Sequence, residues 1–201
     1  MLPTPAATRA DSFAELPAPL QRLSDLGVQR RYRSHALLIE EGDQGDSIYI
    51  VLSGRLRAFV SDARGREVTL GLHGPGDYVG EMSLDGGPRS ASVQAMEPTL
   101  CAVVTRETML RHLATDPALA RELIMRLIRR ARLATESARS MALLDVYSRL
   151  RVLLEDRSQP QTDGGALEME RLTHQAIASE IGCSRETVSY THLTLPTKAL
   201  V

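Results

Sequence analysis

Between Tyr32 and Val104 the apolar residues fall in short runs, most of them cut off by a turn that carries glycine. After Thr105 they fall at helical spacing instead. That change of period constrains the fold more than any other feature of the chain. The runs Ala36–Ile39, Ser47–Leu52, Leu56–Val60, Val68–Leu72, Ala91–Ala95 and Leu100–Val104 read as strands. Turn signals lie between them: Glu41-Gly42-Asp43, Ser53-Gly54, Arg64-Gly65, Gly74-Pro75-Gly76-Asp77 and Asp85-Gly86-Gly87. Many short strands at regular spacing predict a sandwich or a barrel. Phe13, Leu16, Leu20 and Leu23 give residues 13–26 a helical spacing, and the Pro/Ala-rich residues 1–11 are expected to be loose.

Pro117 is placed to open a long helix that runs to about Ser140. Within it Ala120, Ile124, Leu127, Ala131, Ala134, Ala138 and Met141 alternate in spacing like a heptad seam. Arg121, Glu122, Arg126, Arg129, Arg130, Arg132 and Glu136 occupy the other faces. The seam outlasts what one small barrel could cover, which predicts a homodimer whose helices approach closely through the alanines. The bland alternative packs the same face on the chain's own sheet. Leu143 to Leu154 reads as a further amphipathic helix, and Arg157 to Gly165, with Pro160, reads as a loop.

A chain of 201 residues holds one domain of ordinary size and a small second one. Its net charge of −1 gives no global basic field, so contact with nucleic acid must rest on a local patch. Cys101 and Cys183 are far apart and lack metal spacing, which argues against a disulfide framework or a cysteine-ligated cluster. No apolar stretch is long enough for a bilayer and no secretory leader opens the chain. A cytoplasmic protein with no membrane partner is expected. No nucleophile–base pair, metal cluster or phosphate-transfer loop stands out, which argues against an enzyme and against a bound metal.

Two motifs carry chemistry. The segment Gly80-Glu81-Met82-Ser83-Leu84-Asp85-Gly86-Gly87-Pro88-Arg89-Ser90-Ala91-Ser92 combines glycines, a carboxylate, a guanidinium and small hydroxyls. A phosphate takes a guanidinium and backbone N–H groups, a ribose hydroxyl takes a carboxylate, and glycines let the backbone approach closely. That inventory suits a cyclic nucleotide. The second motif is Ile177-Ala178-Ser179-Glu180-Ile181-Gly182 followed by Ser184-Arg185-Glu186-Thr187-Val188, which reads as a helix-turn-helix. Ala178 is small where two helices cross, Gly182 turns the chain and Val188 closes a small core. Ser184 is placed to cap the second helix. Arg185 and Glu186 then lie in its first turn, facing base edges. Thr173 and His174 are placed to cap the first helix or to meet phosphate.

Taken in order, these motifs resemble the bacterial cyclic-AMP receptor and fumarate–nitrate regulator (Crp–Fnr) family from about Phe13 to Val188. The pattern includes Glu40-Glu41-Gly42-Asp43, Ile48-Tyr49-Ile50-Val51-Leu52-Ser53-Gly54, Gly76-Asp77-Tyr78-Val79-Gly80-Glu81, Arg89-Ser90-Ala91, Ala142-Leu143-Leu144-Asp145-Val146 and Gly182 to Val188. The resemblance implies an α+β fold in parts. A cyclic-nucleotide-binding β-roll, a jelly-roll-like double-stranded barrel, is expected over residues 13–115. A dimerisation helix follows over 116–141, and an incomplete winged helix-turn-helix over 142–188.

It also implies roles. Glu81 accepts from the ribose 2′-hydroxyl, Arg89 pairs with the cyclic phosphate, and Ser90 adds a hydrogen bond to it. Backbone groups near Gly80, Met82 and Ala91 assist. Thr135 reaches the base in the partner subunit's pocket, while Ala134 stands where a threonine is expected. The loss of that hydroxyl leaves cyclic GMP or another cyclic nucleotide open beside cyclic AMP, the first expectation. A homodimer on a palindromic DNA operator is implied, with RNA polymerase as a further partner. A nucleotide-binding regulatory module, or a ligand-independent family member, without specific DNA binding in this form is the alternative. The segment from Glu81 to Arg89 is one residue shorter than the family pattern. An iron–sulfur branch lacks its cysteines, and the lone histidines His35, His73 and His112 make weak haem ligands.

The family pattern stops after Val188. Pro196 is expected to end the recognition helix early, and the chain's only lysine, Lys198, lies in this stretch. Val188-Ser189-Tyr190-Thr191-His192-Leu193 reads as the translation of a transposase adapter used in sequencing libraries. Residues 189–201 are therefore expected to be a non-native tail.

Overall fold

A computed structural model describes residues 16–157 and 173–194. They fall into two compact units: residues 16–60 with 71–128, and residues 61–70 with those from 129 onward. Helix α1 spans Ala18–Asp25, with Pro17 at its N-cap and Leu20 and Leu23 buried. It starts later than the periodicity from Phe13 predicts. A proline disfavours helical backbone in the residue before it, and Leu16 precedes Pro17. Residues 13–15 lie outside the described residues.

Eight strands follow: β1 Val28–Tyr32, β2 Leu37–Ile39, β3 Ser47–Ser53, β4 Leu56–Ser61, β5 Glu67–His73, β6 Tyr78–Val79, β7 Ser92–Ala95 and β8 Thr99–Thr105. They form two four-stranded sheets, in the orders β1-β8-β3-β6 and β2-β7-β4-β5. Their pairing is antiparallel, with Val28 opposite Val103, Ile50 opposite Ala102 and Leu56 opposite Ala95. All six predicted strands are present within a residue or two at each end. Strands β1 and β6 were not predicted. β1 is the polar stretch Val-Gln-Arg-Arg-Tyr, exposed along most of its length, and its place comes from pairing with β8. Exposed arginines on such an edge discourage pairing with another chain.

The pleat of β3 sorts its side chains between two cores. Ile48, Ile50 and Leu52 join Leu20, Leu23, Met109, Leu119 and Leu123 on the helical side. Val51 faces the other way, with Cys101, Ile39, Leu56, Val79, Val93 and Ala95. A strand buried on both faces reads as a continuous apolar run, as residues 48–52 do.

Helix α2 covers Arg106–Thr115, capped by the Thr105 side chain, and α3 covers Pro117–Leu143, 27 residues. Asp116 precedes that proline and accepts from Ala118 N (3.0 Å) and Leu119 N (3.2 Å). Helix α4 is Val146–Arg157. It begins after the predicted Leu143, because Asp145 accepts from Ser148 N at 2.7 Å and caps a fresh start. Helices α5, His174–Ile181, and α6, Arg185–Thr194, complete the described chain. Most of the predicted loop from Arg157 to Gly165, and Pro196 and Lys198, lie outside the described residues.

Candidate functional site

The Gly80–Ala91 segment is closed by two left-handed glycines. Gly80 has φ +89°, and a Cβ there would stand 2.8 Å from both Ser47 O and Arg89 Nη1. No other residue type fits that backbone and that space. Glu81 opens a short 3₁₀ helix, Glu81–Asp85, which ends at Gly86 with φ +88°. Asp85 Oδ1 accepts from Gly87 N at 2.8 Å, and Arg106 Nε donates to Leu84 O at 3.0 Å. These contacts hold a segment that is one residue short of the family pattern.

Arg89 is 6% exposed. Its Nη1 donates to Gly80 O (3.0 Å) and Ser83 Oγ (3.0 Å), and its Nη2 donates to Ser47 O (2.9 Å). Its backbone is tied as well: Arg89 N donates to Asp43 O at 2.8 Å, and Gly42 N donates to Arg89 O at 2.8 Å. A buried charge demands hydrogen bonds on this scale. Glu81 is also buried, at 8% exposure. The structure thus gathers Gly80, Glu81 and Arg89 into one knot, with Ser90 exposed and Ala91 half-buried beside it. Met82 points to solvent. An open cleft of about 450 Å³ borders the knot, lined by Gln44, Gly45, Asp46, Ser83, Gly86, Gly87 and Arg106. The sequence reading missed Ser47, Ser83 and Gly45, whose residue types carry no signal until the arginine is placed against them.

In α3 the residues packed into the helical-side core are Leu119 and Leu123. The heptad seam is a different face: Ile124 is 55% exposed, Leu127 39% and Met141 45%. The alternative that packs the seam on the chain's own sheet is not what this structure holds. Thr135, in the second unit, is exposed and its hydroxyl donates to Ala131 O at 2.9 Å. That leaves the hydroxyl oxygen as an acceptor.

The helix-turn-helix is assembled as its residue types predict. Thr173 Oγ1 accepts from Ala176 N at 3.1 Å, and His174 is the first helical residue, half-buried. Gly182 is left-handed, with φ +66°. Ser184 Oγ accepts from Thr187 N at 3.2 Å. Ala178 and Val188 are fully buried with Leu150, Ile177 and Ile181. Arg185 and Glu186 are exposed in the first turn of α6. Backbone hydrogen bonding at the start of α6 and the Ser184 hydroxyl hold the Glu186 carboxyl below its ordinary range, so it stays an acceptor.

The family pattern ends at Val188, but the recognition helix itself continues to Thr194. Residues 189–194 contain neither glycine nor proline, and Pro196 falls just past the helix end, where proline is ordinarily tolerated. The region of a wing lies outside the described residues.

Among the described residues no group of three His, Cys, Asp or Glu side chains is arranged to hold a metal. Both cysteines are free. Burial pushes the Cys101 thiol up to about 12 and raises that of Cys183. No helix among the described residues is long and apolar enough to cross a membrane.

Two family profiles match the chain: "Cyclic nucleotide-binding domain" over residues 29–116 and "Bacterial regulatory proteins, crp family" over residues 171–190. The cyclic AMP receptor protein of Thermus thermophilus is 35% identical over 170 residues, covering 80% of this chain and 73% of that protein. A CRP-like cAMP-activated global transcriptional regulator of Mycobacterium tuberculosis is 32% identical over 161 residues, covering 78% and 71%. Among solved structures, the c-di-GMP-responsive global regulator CLP of Xanthomonas campestris superposes with a TM-score of 0.79 at 26% identity, covering 90% of this chain and 92% of that one.

Proposed function

The chain belongs to the Crp–Fnr family of bacterial transcription regulators, and on that premise we propose that it is a homodimeric DNA-binding regulator switched by a cyclic nucleotide, with cyclic AMP the first candidate. The family is one of regulators, not of enzymes. The observation that carries the proposal is the buried knot of Gly80, Glu81 and Arg89 on a chain that also holds a capped helix-turn-helix. In this reading Arg89 and Ser90 bind the cyclic phosphate, Glu81 the ribose, and backbone groups of Gly80, Met82 and Ala91 assist. The exposed seam of α3 supports dimerisation, which brings Thr135 to the partner subunit's ligand. Thr173, His174, Ser184, Arg185 and Glu186 form the DNA face. The operator is palindromic, RNA polymerase is a further partner, and the protein works in the cytoplasm without a metal.

The parts divide as residues 13–115 for the ligand domain, 116–141 for the dimerisation helix and 142–188 for the DNA-binding domain. Residues 189–201 are read as a non-native tail. The receptors of Thermus and Mycobacterium are named for cyclic AMP and the Xanthomonas regulator for cyclic di-GMP. The nucleotide is therefore decided by titration. Calorimetry with cyclic AMP, cyclic GMP and cyclic di-GMP, then a gel shift on a selected palindrome at fixed salt with and without the nucleotide that binds, tests the proposal. Binding of one nucleotide is expected, with weak or no specific retardation by residues 1–201 and ligand-dependent retardation once the genomic C-terminus stands in place of residues 189–201. No heat with any of the three, or DNA binding indifferent to the ligand, refutes it.

A further inference from the structure

A guanidinium has five N–H donors, and its Nε–Nη2 edge is the pair that grips a phosphate side-on. In Arg89 the three hydrogen bonds employ both Nη1 hydrogens and one on Nη2: Gly80 O, Ser83 Oγ and Ser47 O. The Nε hydrogen and the second Nη2 hydrogen meet no acceptor among the described residues. Ser83 is itself buried, at 1% exposure, and its hydroxyl donates to Gly80 O at 2.8 Å while accepting from Nη1. The hydroxyl is thus fixed by the same carbonyl that receives the arginine. Rotation of the guanidinium about its long axis would break all these bonds together.

The free edge faces residue 45. A Cβ built on Gly45 would stand 2.6 Å from Nη2 and 2.8 Å from Nε. A methyl group at those distances would overlap the guanidinium, so a side chain at residue 45 would push Arg89 out of its place. The space exists because residue 45 has no side chain, and Gly45 and Ser83 also line the adjoining open cleft.

We propose that Ser83 and Gly45 are positioning residues for phosphate recognition. Ser83 locks the Nη1 side of Arg89, and Gly45, by lacking a side chain, leaves the guanidinium the room to hold that position. The inference rests on the cyclic-nucleotide reading of the site and adds to it two residues that touch the arginine. It also explains a buried arginine at a ligand site: the cage orients the cation before the ligand arrives, so less freedom is lost on binding.

The test is a double-mutant cycle on the full chain, with cyclic AMP as the probe and calorimetry as the readout. Ser83→Ala and Gly45→Ala are made alone and in an Arg89→Lys background, which keeps the charge but has no guanidinium edge. Each single variant is expected to weaken binding about tenfold, the effect of one lost hydrogen bond to a charged group. In the lysine background each is expected to change affinity less than about twofold. Thermal unfolding of every variant accompanies the titration. If Gly45→Ala does not fold, the Ser83→Ala cycle decides alone. Unchanged affinity in Ser83→Ala overturns the proposal, as does an equal loss in both backgrounds, which marks general damage to the loop. A parent chain that binds none of cyclic AMP, cyclic GMP and cyclic di-GMP removes the nucleotide reading and this inference together. A parent that binds while the variants match it removes this inference only.

Discussion

Arg89→Ala separates the structural work of the arginine from its work on the ligand. The side chain is 6% exposed and bonds to three neutral oxygens. A hydrogen bond from a charged donor contributes about 1.5–3 kcal/mol, and each buried acceptor left unsatisfied costs about 1–3 kcal/mol. Removing the guanidinium also relieves a desolvation cost of several kcal/mol. The balance is a loss of about 2–4 kcal/mol in stability, because Gly80 O, Ser47 O and Ser83 Oγ stay behind and the neighbouring cleft admits water to only some of them. For a chain of this length that lowers the unfolding midpoint by roughly 5–15 °C. The ligand arm is independent of this loss. At a hundredfold excess over its dissociation constant, cyclic AMP adds about 2.7 kcal/mol to the parent. A variant that binds tenfold more weakly gains only about 1.4 kcal/mol at the same concentration. Thermal unfolding with and without cyclic AMP reads both numbers. A variant within about 0.5 kcal/mol of the parent in the absence of ligand would show that the cage does not form in solution. An undiminished ligand shift would show that Arg89 does not hold the phosphate.

Other consequences follow from separate parts of the molecule. Leu127→Glu or Ala131→Glu places a charge on the α3 seam, and sedimentation should find monomers where the parent gives dimers; a parent that is monomeric at micromolar concentration, with and without ligand, refutes the seam. Arg185→Ala should cost about 1–3 kcal/mol on a specific operator and less on unrelated DNA, read by fluorescence titration at fixed salt; equal losses on both would mean that the residue reads only phosphate. Burial raises the Cys101 thiol to about 12, so the folded state keeps a proton that the unfolded chain releases from about pH 8.5 upward. Stability from this group is intact below that pH and declines as pH rises toward 12, and a Cys101→Ala variant should lack that alkaline decline in denaturant titrations.

The strands that carry apolar alternation or a continuous apolar run were legible because burial dictates their composition. β3 and β8 are the clearest, since β3 feeds two cores and β8 pairs with it. β1 was not legible. Val28, Gln29, Arg30 and Arg31 are all exposed, so no hydrophobic pattern marks them, and their strand exists through pairing with β8. β6 is too short, at Tyr78–Val79, to show a period. In the helix-turn-helix, Thr173, Gly182 and Ser184 were legible as caps and turn because their chemistry is local. The cage around Arg89 was not, because Ser47, Ser83 and Gly45 come from two separated stretches of chain. A serine or a glycine announces a contact only when the fold supplies the partner. The extent of α6 is not set by the family pattern, which ends at Val188: residues 189–194 hold neither glycine nor proline to stop the helix, and it runs on to Thr194.

The long helix and the ligand segment meet at one charged node. Asp77 closes the turn before β6: its Oδ2 accepts from Gly74 N at 3.1 Å and its Oδ1 accepts from Arg126 Nη1 at 2.9 Å. Arg126 also donates to Glu122 one turn back at 2.7 Å and lies over the Tyr78 ring, 5.6 Å from its centroid. The arginine side chain is 13% exposed and that of Asp77 39%, so the pair is sheltered from solvent on the arginine side only. From Asp77 the chain runs through Tyr78 and Val79 directly into Gly80 and Glu81. The ligand segment and α3 are thus joined by a two-residue strand and one ion pair, with Leu119 and Leu123 anchoring the same helix in the core. A ligand shifts an equilibrium only by contacts that differ between its two states. Arg126 is where such contacts concentrate, since it holds Asp77, Glu122 and the Tyr78 ring at once.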